Sequence, residues 1–323
     1  MIDINKDEII ANFDFDAAVS AVRDSYIASS KQAVTLPPVG HIEFPQSNGD
    51  CHIKAGHIHG QSLFVIKIAT GFYDNPNQGL PSSNGIMVAF SAQNGEPVAV
   101  LKDEGWLTDM RTGIGGALTN LALARLGARR VLILGAGLQC LFQAECLERL
   151  SKARLEYIVW ARSLQKAETA VQELTLLNLN ARTEKNLEEA VRNAEIIITT
   201  TPSTKPLFPA DWVGLGTHIT AIGADSPGKQ ELDTSLVLNA DLAVCDLIGQ
   251  SLDHGEFQHA KVSGKLSNVV ELGQILGQDH SGRPSQDAIT IADLTGIAPQ
   301  DIAITSAVLN VIMLKSQSQD PYH

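Results

Sequence analysis

Cysteine is scarce: the 323 residues hold four, Cys51, Cys140, Cys146 and Cys245, with no Cys-x-x-Cys pair. Scattered thiols of this kind fit a reducing compartment, and a cytoplasmic protein is expected. Basic charge is also short. Twenty-four Lys and Arg face 36 Asp and Glu, and the net charge of -12 repels phosphate backbones and anionic membranes, so neither nucleic acid nor a membrane is an expected partner. No unbroken apolar stretch approaches the ~20 residues that cross a bilayer, and Met1 to Glu8 has neither a basic start nor an apolar signal core. Low-complexity tracts and solenoid-period repeats are missing too. What remains, 44% apolar and 19% charged, is the composition of a globular protein, with enough chain for two domains of roughly 100 to 200 residues.

Periodicity divides the chain. From Asp7 to Ser30 apolar residues recur at helical spacing and predict an amphipathic helix. Between Val34 and Ala99, short β-branched runs such as Phe64 to Thr70 and Gly85 to Ser91 alternate with Gly, Pro, Asn and Asp clusters and predict an antiparallel sheet. Helical spacing returns from Thr108 to Leu126, closed by Gly127, as the junction between domains. Strands are then expected at Arg130–Leu134, Leu155–Trp160, Ile196–Thr199, Ile219–Ile222 and Leu242–Cys245, with helices at Leu138–Ser151 and Gln165–Leu176. Alternation at this interval means βαβ units: an α/β chain with a Rossmann-type, doubly wound parallel sheet. A last helix, Asp301 to Lys315, is expected to pack back on the first domain. The division reads as 1–116 with 303–323, an α+β substrate and dimerisation domain, and 117–302, the dinucleotide domain.

The most informative stretch runs from Arg130 to Cys140. An unbroken apolar strand enters Gly135-Ala136-Gly137-Leu138-Gln139 and then a helix. Gly135 permits a tight turn, and Gly137 lets the backbone approach a pyrophosphate resting on the helix N-terminus. A strand-to-helix turn with no ligand is the plainer alternative. Cys140, at the third position of the fingerprint, is read as small packing. At the end of the second strand, where an NAD site places a carboxylate for the ribose 2′-hydroxyl, stand Arg162 and Ser163. A guanidinium and a hydroxyl suit a 2′-phosphate, so NADP(H) is favoured, with NAD(H) possible. Otherwise Arg162 stacks on the adenine or faces solvent.

With these residues in view the chain resembles the ornithine cyclodeaminase/μ-crystallin family. The resemblance rests on Phe64-Val65-Ile66-Lys67, Leu107 to Thr112, the Gly135 to Gln139 turn, Gly223 to Leu232 and Asp293-Leu294-Thr295-Gly296, in that order along nearly the whole chain. It implies a Rossmann domain beside a substrate domain that makes a homodimer, and a nicotinamide cofactor met also by Thr112, Thr200 and Lys229. Family activities include cyclodeaminases, alanine dehydrogenases, ketimine and Δ1-pyrroline-2-carboxylate reductases, and NADPH-linked hormone-binding crystallins.

Candidate catalytic residues follow. Lys67 lies in an otherwise apolar strand, where an ammonium is costly unless an anion meets it. It is expected to bind a substrate carboxylate or polarise an imine; the plain reading is an edge-strand lysine reaching solvent. Arg111 suits bidentate carboxylate capture, or else caps a helix or bridges the domains. Asp225, at the carboxyl end of a parallel strand, is the expected proton-exchanging group, with an Asx-turn as the plain reading. Family members commonly carry an arginine shortly after a Pro-Pro pair, but here Pro37-Pro38 is followed by Val39-Gly40-His41. Lys54, Lys67 and Arg111 then hold the carboxylate alone, or the substrate differs, and Ser83 and Asn84 line the pocket. Cys51, His52, His57 and His59 need not converge from alternating positions, so no metal is expected; His218, His254 and His259 read as structural or solvent-facing. The favoured function is an NAD(P)H-dependent reductase of small α-imino acids, reversible as an amino acid dehydrogenase. The alternatives are ornithine cyclodeaminase and a non-catalytic, NADPH-dependent small-ligand binder.

Overall fold

Asn12 to Asp14 break the expected N-terminal helix in two. In the computed structural model, which describes residues 1–262, 264, 266 and 269–318, a strand β1 (Ile2–Asn5) comes first. Asn5 then caps α1 (Lys6–Ala11) in a capping box with Glu8, and Asp14 caps α2 (Phe15–Ser30) by accepting from the Ala17 amide at 3.0 Å. Each cap satisfies an amide with no intrahelical partner, so a second cap restarts the helix where the first has ended.

The chain divides into two compact units, Met1–Arg111 with Ile297–His323 and Thr112–Gly296. Helix α3 (Trp106–Leu123) contributes residues to both.

In the first unit β2 (Val34–Thr35), β3 (Gly40–Phe44), β4 (Gly49–Ile58), β5 (Leu63–Phe72), β6 (Ser83–Ser91) and β7 (Pro97–Lys102) form one sheet with β1. The order is β1-β7-β6-β5-β4-β2, with β3 also paired to β4. The sheet is mixed and not purely antiparallel, because β1 runs parallel to β7. Four residues are too few for alternation to announce that strand. One sheet face carries Val65, Lys67, Met87, Ala89, Ala99 and Leu101, all buried. The final helix, Ala298–Ser318, packs on β4, β5, β6 and α2, as its apolar spacing led one to expect. Gly56 makes room for it: a Cβ there would stand 2.7 Å from Leu36 and 3.4 Å from Ile302.

The second unit alternates throughout. β8 (Arg130–Leu134), α4 (Leu138–Leu150), β9 (Glu156–Trp160), α5 (Leu164–Leu176), β10 (Ala181–Thr183), α6 (Leu187–Asn193), β11 (Ile196–Thr199) and β12 (His218–Ala221) come first. Then follow α7 (Thr234–Asn239), β13 (Leu242–Cys245), α8 (Ile248–His254), α9 (Phe257–Val262), β14 (Val269–Glu271), α10 (Leu272–Leu276) and β15 (Thr290–Asp293), before the final helix, α11. All pairs are parallel in the order β10-β9-β8-β11-β12-β15-β13-β14. The chain winds outward from β8 to β10, then returns to β11 on the other side of β8. Open α/β sheets leave a crevice for ligands at such a reversal. Among the described residues no helix is long and apolar enough to cross a membrane.

Candidate active site

The reversal between β8 and β11 is where the glycine turn lies. Gly135 has φ +121°, and a Cβ there would stand 2.4 Å from the Thr200 hydroxyl and 3.0 Å from its carbonyl. Glycine is thus required by both conformation and space. Gly137 differs: a Cβ there would meet nothing within 4 Å. It is the N-cap of α4 and offers no side-chain cap, so the first amides of that helix face outward with their dipole, an anion-binding arrangement. Cys140, behind it, is fully buried, and burial pushes its thiol up to about 12. α4 in turn holds α3 closely: a Cβ on Gly113 would touch the Phe142 carbonyl at 2.6 Å, and Gln143 donates to the Thr112 carbonyl at 3.0 Å.

A cavity of about 800 Å³ opens on this turn. Gly135, Ala136, Gly137, Arg162, Ser163 and Thr200 all line it, as do Lys166 and Lys205, which sequence reasoning missed, and no carboxylate is in the lining. The Ser163 hydroxyl also caps α5, accepting from the Lys166 amide at 3.4 Å, which leaves its own proton to donate. Leu138 and Gln139 form the first turn of α4 without lining the cavity, and Thr112 and Lys229 are likewise outside the lining. The donors fit a dinucleotide: the lining offers an uncapped helix N-terminus together with Arg162, Lys166 and Lys205.

In the first unit, three basic side chains, Lys54, Lys67 and Arg111, and two acids, Asp301 and Asp103, are buried together. Lys54 and Lys67 are directly paired across β4 and β5, and like charges so placed repel. Lys67 Nζ lies 3.0 Å from both oxygens of Asp301, and Arg111 Nε lies 3.1 Å from Oδ1. Arg111 also donates to Gln300 at 3.3 Å, and Gln300 donates to the Tyr26 hydroxyl at 2.8 Å, which fixes the guanidinium plane. Asp103 caps α3 at the Leu107 amide, 2.9 Å away. Burial and the Arg111 charge lower Lys67 to about 7. Although burial alone would raise it, the combined charges of Lys67, Arg111 and Lys54 hold Asp301 below its ordinary range. Burial raises Asp103, so this acid offsets the cations less. The cluster carries surplus positive charge away from water, the condition under which a carboxylate ligand is bound.

Asp301 and Gln300 carry no local motif, and sequence reasoning missed both. Ser83 pairs with Gly71 and so shares the face of Lys67, four residues back along β5. Asn84 pairs with Thr70, on the other face, and its side chain accepts from the Gly85 amide at 2.8 Å. Neighbouring strand residues point to opposite sides, so Ser83 and not Asn84 is on the face of Lys67.

Asp225 follows β12 at its carboxyl end. It is half-buried, pairs with Lys229 Nζ at 2.7 Å and accepts from the Ser226 hydroxyl at 3.2 Å. Its loop is held by Glu231, fully buried, which accepts from Thr199 Oγ1 (2.6 Å), Thr201 N (2.6 Å), Thr201 Oγ1 (2.7 Å) and Gly223 N (2.8 Å). One carboxylate thus ties the ends of β11 and β12 together. Burial and Asp293 push Glu256, which accepts from the Glu231 and Leu232 amides, up to about 9.

The comparisons agree with this anatomy. The ornithine cyclodeaminase/mu-crystallin family model matches residues 5–316. A cyclodeaminase of Sinorhizobium fredii with no characterised activity is 38% identical over 92% of this chain and 91% of its own. The Δ1-pyrroline-2-carboxylate reductase of Bacillus cereus is 31% identical over 84% of each chain. An archaeal alanine dehydrogenase dimer with bound NAD superposes with a TM-score of 0.88, at 31% identity, over 98% of this chain and 97% of that one. A glycine turn at a sheet reversal, a basic cluster beneath the last helix and a match over nearly the whole chain lead to one conclusion: this chain belongs to the ornithine cyclodeaminase/mu-crystallin family.

Proposed function

We propose that the chain is a nicotinamide-dependent reductase of small α-imino acids of the Δ1-pyrroline-2-carboxylate type, and in reverse an amino acid dehydrogenase. The observation that carries this reading is the buried surplus of positive charge at Lys54, Lys67 and Arg111 around Asp301. The substrate carboxylate joins Asp301 as the second anion, with the Arg111 fork to orient it. Lys67, held near neutrality, stabilises charge at the substrate. Asp225 exchanges the proton of the substrate nitrogen, oriented by Lys229 Nζ at 2.7 Å. The coenzyme, when bound against Gly135 to Gly137 and Thr200, supplies the hydride. The named activities of the reductase and dehydrogenase relatives support the assignment.

The coenzyme is NADP(H) in preference to NAD(H). Arg162, Lys166 and Lys205 line the cavity and no acid does, so a 2′-phosphate finds cations where a ribose 2′-hydroxyl finds no carboxylate. Cyclodeaminase activity is the second reading, favoured by the 38% identical relative of that name. The active form is a homodimer, as in the archaeal alanine dehydrogenase structure. The sheet face opposite α11 carries Ile53, Ile66, Ile68, Ile86, Val88 and Phe90, all half-exposed, an apolar surface suited to a second copy.

One panel tests the reading. With Δ1-pyrroline-2-carboxylate the protein is expected to consume NADPH faster than NADH, and Arg162→Ala to narrow that ratio. Ammonia released from ornithine with no net coenzyme change would instead assign the cyclodeaminase reaction.

A further inference from the structure

Histidine and carboxylate side chains are concentrated at one end of β3 and β4. In the antiparallel register His41 faces His52 directly, and Glu43 faces Asp50. Residues two apart share a face, so the four occupy the corners of a rectangle on one side of the hairpin. The rings of His41 and His52 have centroids 4.7 Å apart. His52 Nε2 stands 3.9 Å from Asp50 Oδ1, His41 Nδ1 stands 3.9 Å from Glu43 Oε1, and donor atoms of His41, Asp50 and His52 all lie within 4.8 Å of one another. The register also sets two carboxylates directly opposite each other, an arrangement that costs energy unless a cation lies between them.

We propose that His41, Glu43, Asp50 and His52 form a binding site for one divalent transition-metal ion. Two imidazoles and two carboxylates are a borderline-soft donor set of charge −2, suited to Zn²⁺ and poorly suited to Mg²⁺ or Ca²⁺, which require oxygen ligands. Tetrahedral Zn²⁺ with bonds of about 2.1 Å holds its donors about 3.4 Å apart, so the donor atoms of His41, Asp50 and His52 close by under 1.5 Å, and Glu43, 3.9 Å from His41, swings in from outside that set. His41 and Glu43, with side chains 26% and 71% exposed, have the freedom to do so. Asp50 is already oriented, because Tyr73 donates to its Oδ2 at 3.0 Å, the kind of outer hydrogen bond that fixes a ligating carboxylate. A Cβ on Gly71, opposite Asp50, would stand 3.0 Å from Oδ1. Cys51 lies between Asp50 and His52 but on the other face, so no thiolate joins the set. His57 and His59 are engaged elsewhere, with the Gln61 carbonyl and the Thr35 hydroxyl. Lys54, two residues beyond His52 on the same face, has its charge opposed by Asp301.

This site differs from the Cys51, His52, His57, His59 grouping that the sequence brings to mind, because strand register and not chain proximity selects its members. It is independent of the reductase reading. The test is calorimetric titration of the chelator-treated, full-length protein with ZnCl2 and, separately, MgCl2. One Zn²⁺ per chain is expected, at micromolar Kd or tighter, with Mg²⁺ at least 100-fold weaker. His41→Ala and Asp50→Asn should each weaken Zn²⁺ by 30-fold or more and abolish its effect on Tm, while His57→Ala/His59→Ala leaves binding unchanged. Absence of saturable Zn²⁺ binding, or binding indifferent to His41→Ala, would overturn the proposal. So would a His41→Ala variant that raises KM for the imino acid with zinc affinity intact, since the histidines would then face substrate.

Discussion

Lys67 is an ammonium group kept where solvation is poorest, two cations beside it and one carboxylate in contact. Its pKa near 7 has a kinetic consequence. The charged form prevails below that value and is lost as pH rises through it, so kcat/KM for imino-acid reduction should fall about tenfold per pH unit above about 7. A Lys67→Arg variant, whose guanidinium stays charged, should shift that fall upward; comparing the two at each pH cancels the substrate's own titration. An unchanged profile would remove Lys67 from the account. Lys67 was legible in the sequence because a lysine inside Phe-Val-Ile-x-Ile is conspicuous. Its partner Asp301 was not: it is one acid among 36, and only the packing of α11 on β4, β5 and β6 brings it there. Lys166 and Lys205 were missed for a similar reason, since a lysine in a helix or loop reads as solvated until the cavity it borders is known.

The glycine turn shows how two identical letters in one element do different work. Gly135 is fixed by its left-handed conformation and by Thr200, so a side chain there strains the protein itself. Gly137 is fixed by nothing inside the chain. Gly137→Val should therefore cost only about 1 kcal/mol of stability, the loss of a better N-cap residue, yet weaken NADPH at least tenfold by filling the approach to the helix N-terminus. Thermal melts and fluorescence titration of the coenzyme read the two effects separately; unaltered NADPH affinity would mean that the pyrophosphate does not rest there. Strand–turn–helix was legible as an element because a fully buried parallel strand is an unbroken apolar run. Short elements such as β1, β10 and β14 were not, because three or four residues cannot display a period.

At the scale of the molecule, alternation from Arg130 onward disclosed the parallel sheet, and the apolar spacing of the last helix disclosed its return to the first sheet. The units divide at 111/112, inside α3, and at 296/297, just before α11. A sequence does not distinguish a sheet face covered by its own helix from one left half-exposed. If the Ile66/Val88 face is the dimer contact, Ile66→Lys/Val88→Lys should yield a folded monomer by light scattering, and a dimer that persists would place the contact elsewhere. The central claim is that hydride passes between a nicotinamide and the nitrogen-bearing carbon of an α-imino acid. The direct test supplies NADPH deuterated at C4, each face in turn, with Δ1-pyrroline-2-carboxylate, and examines the proline by mass spectrometry. One deuterium at the α-carbon from one of the two faces is the predicted result; unlabelled proline from both, or none formed, contradicts it.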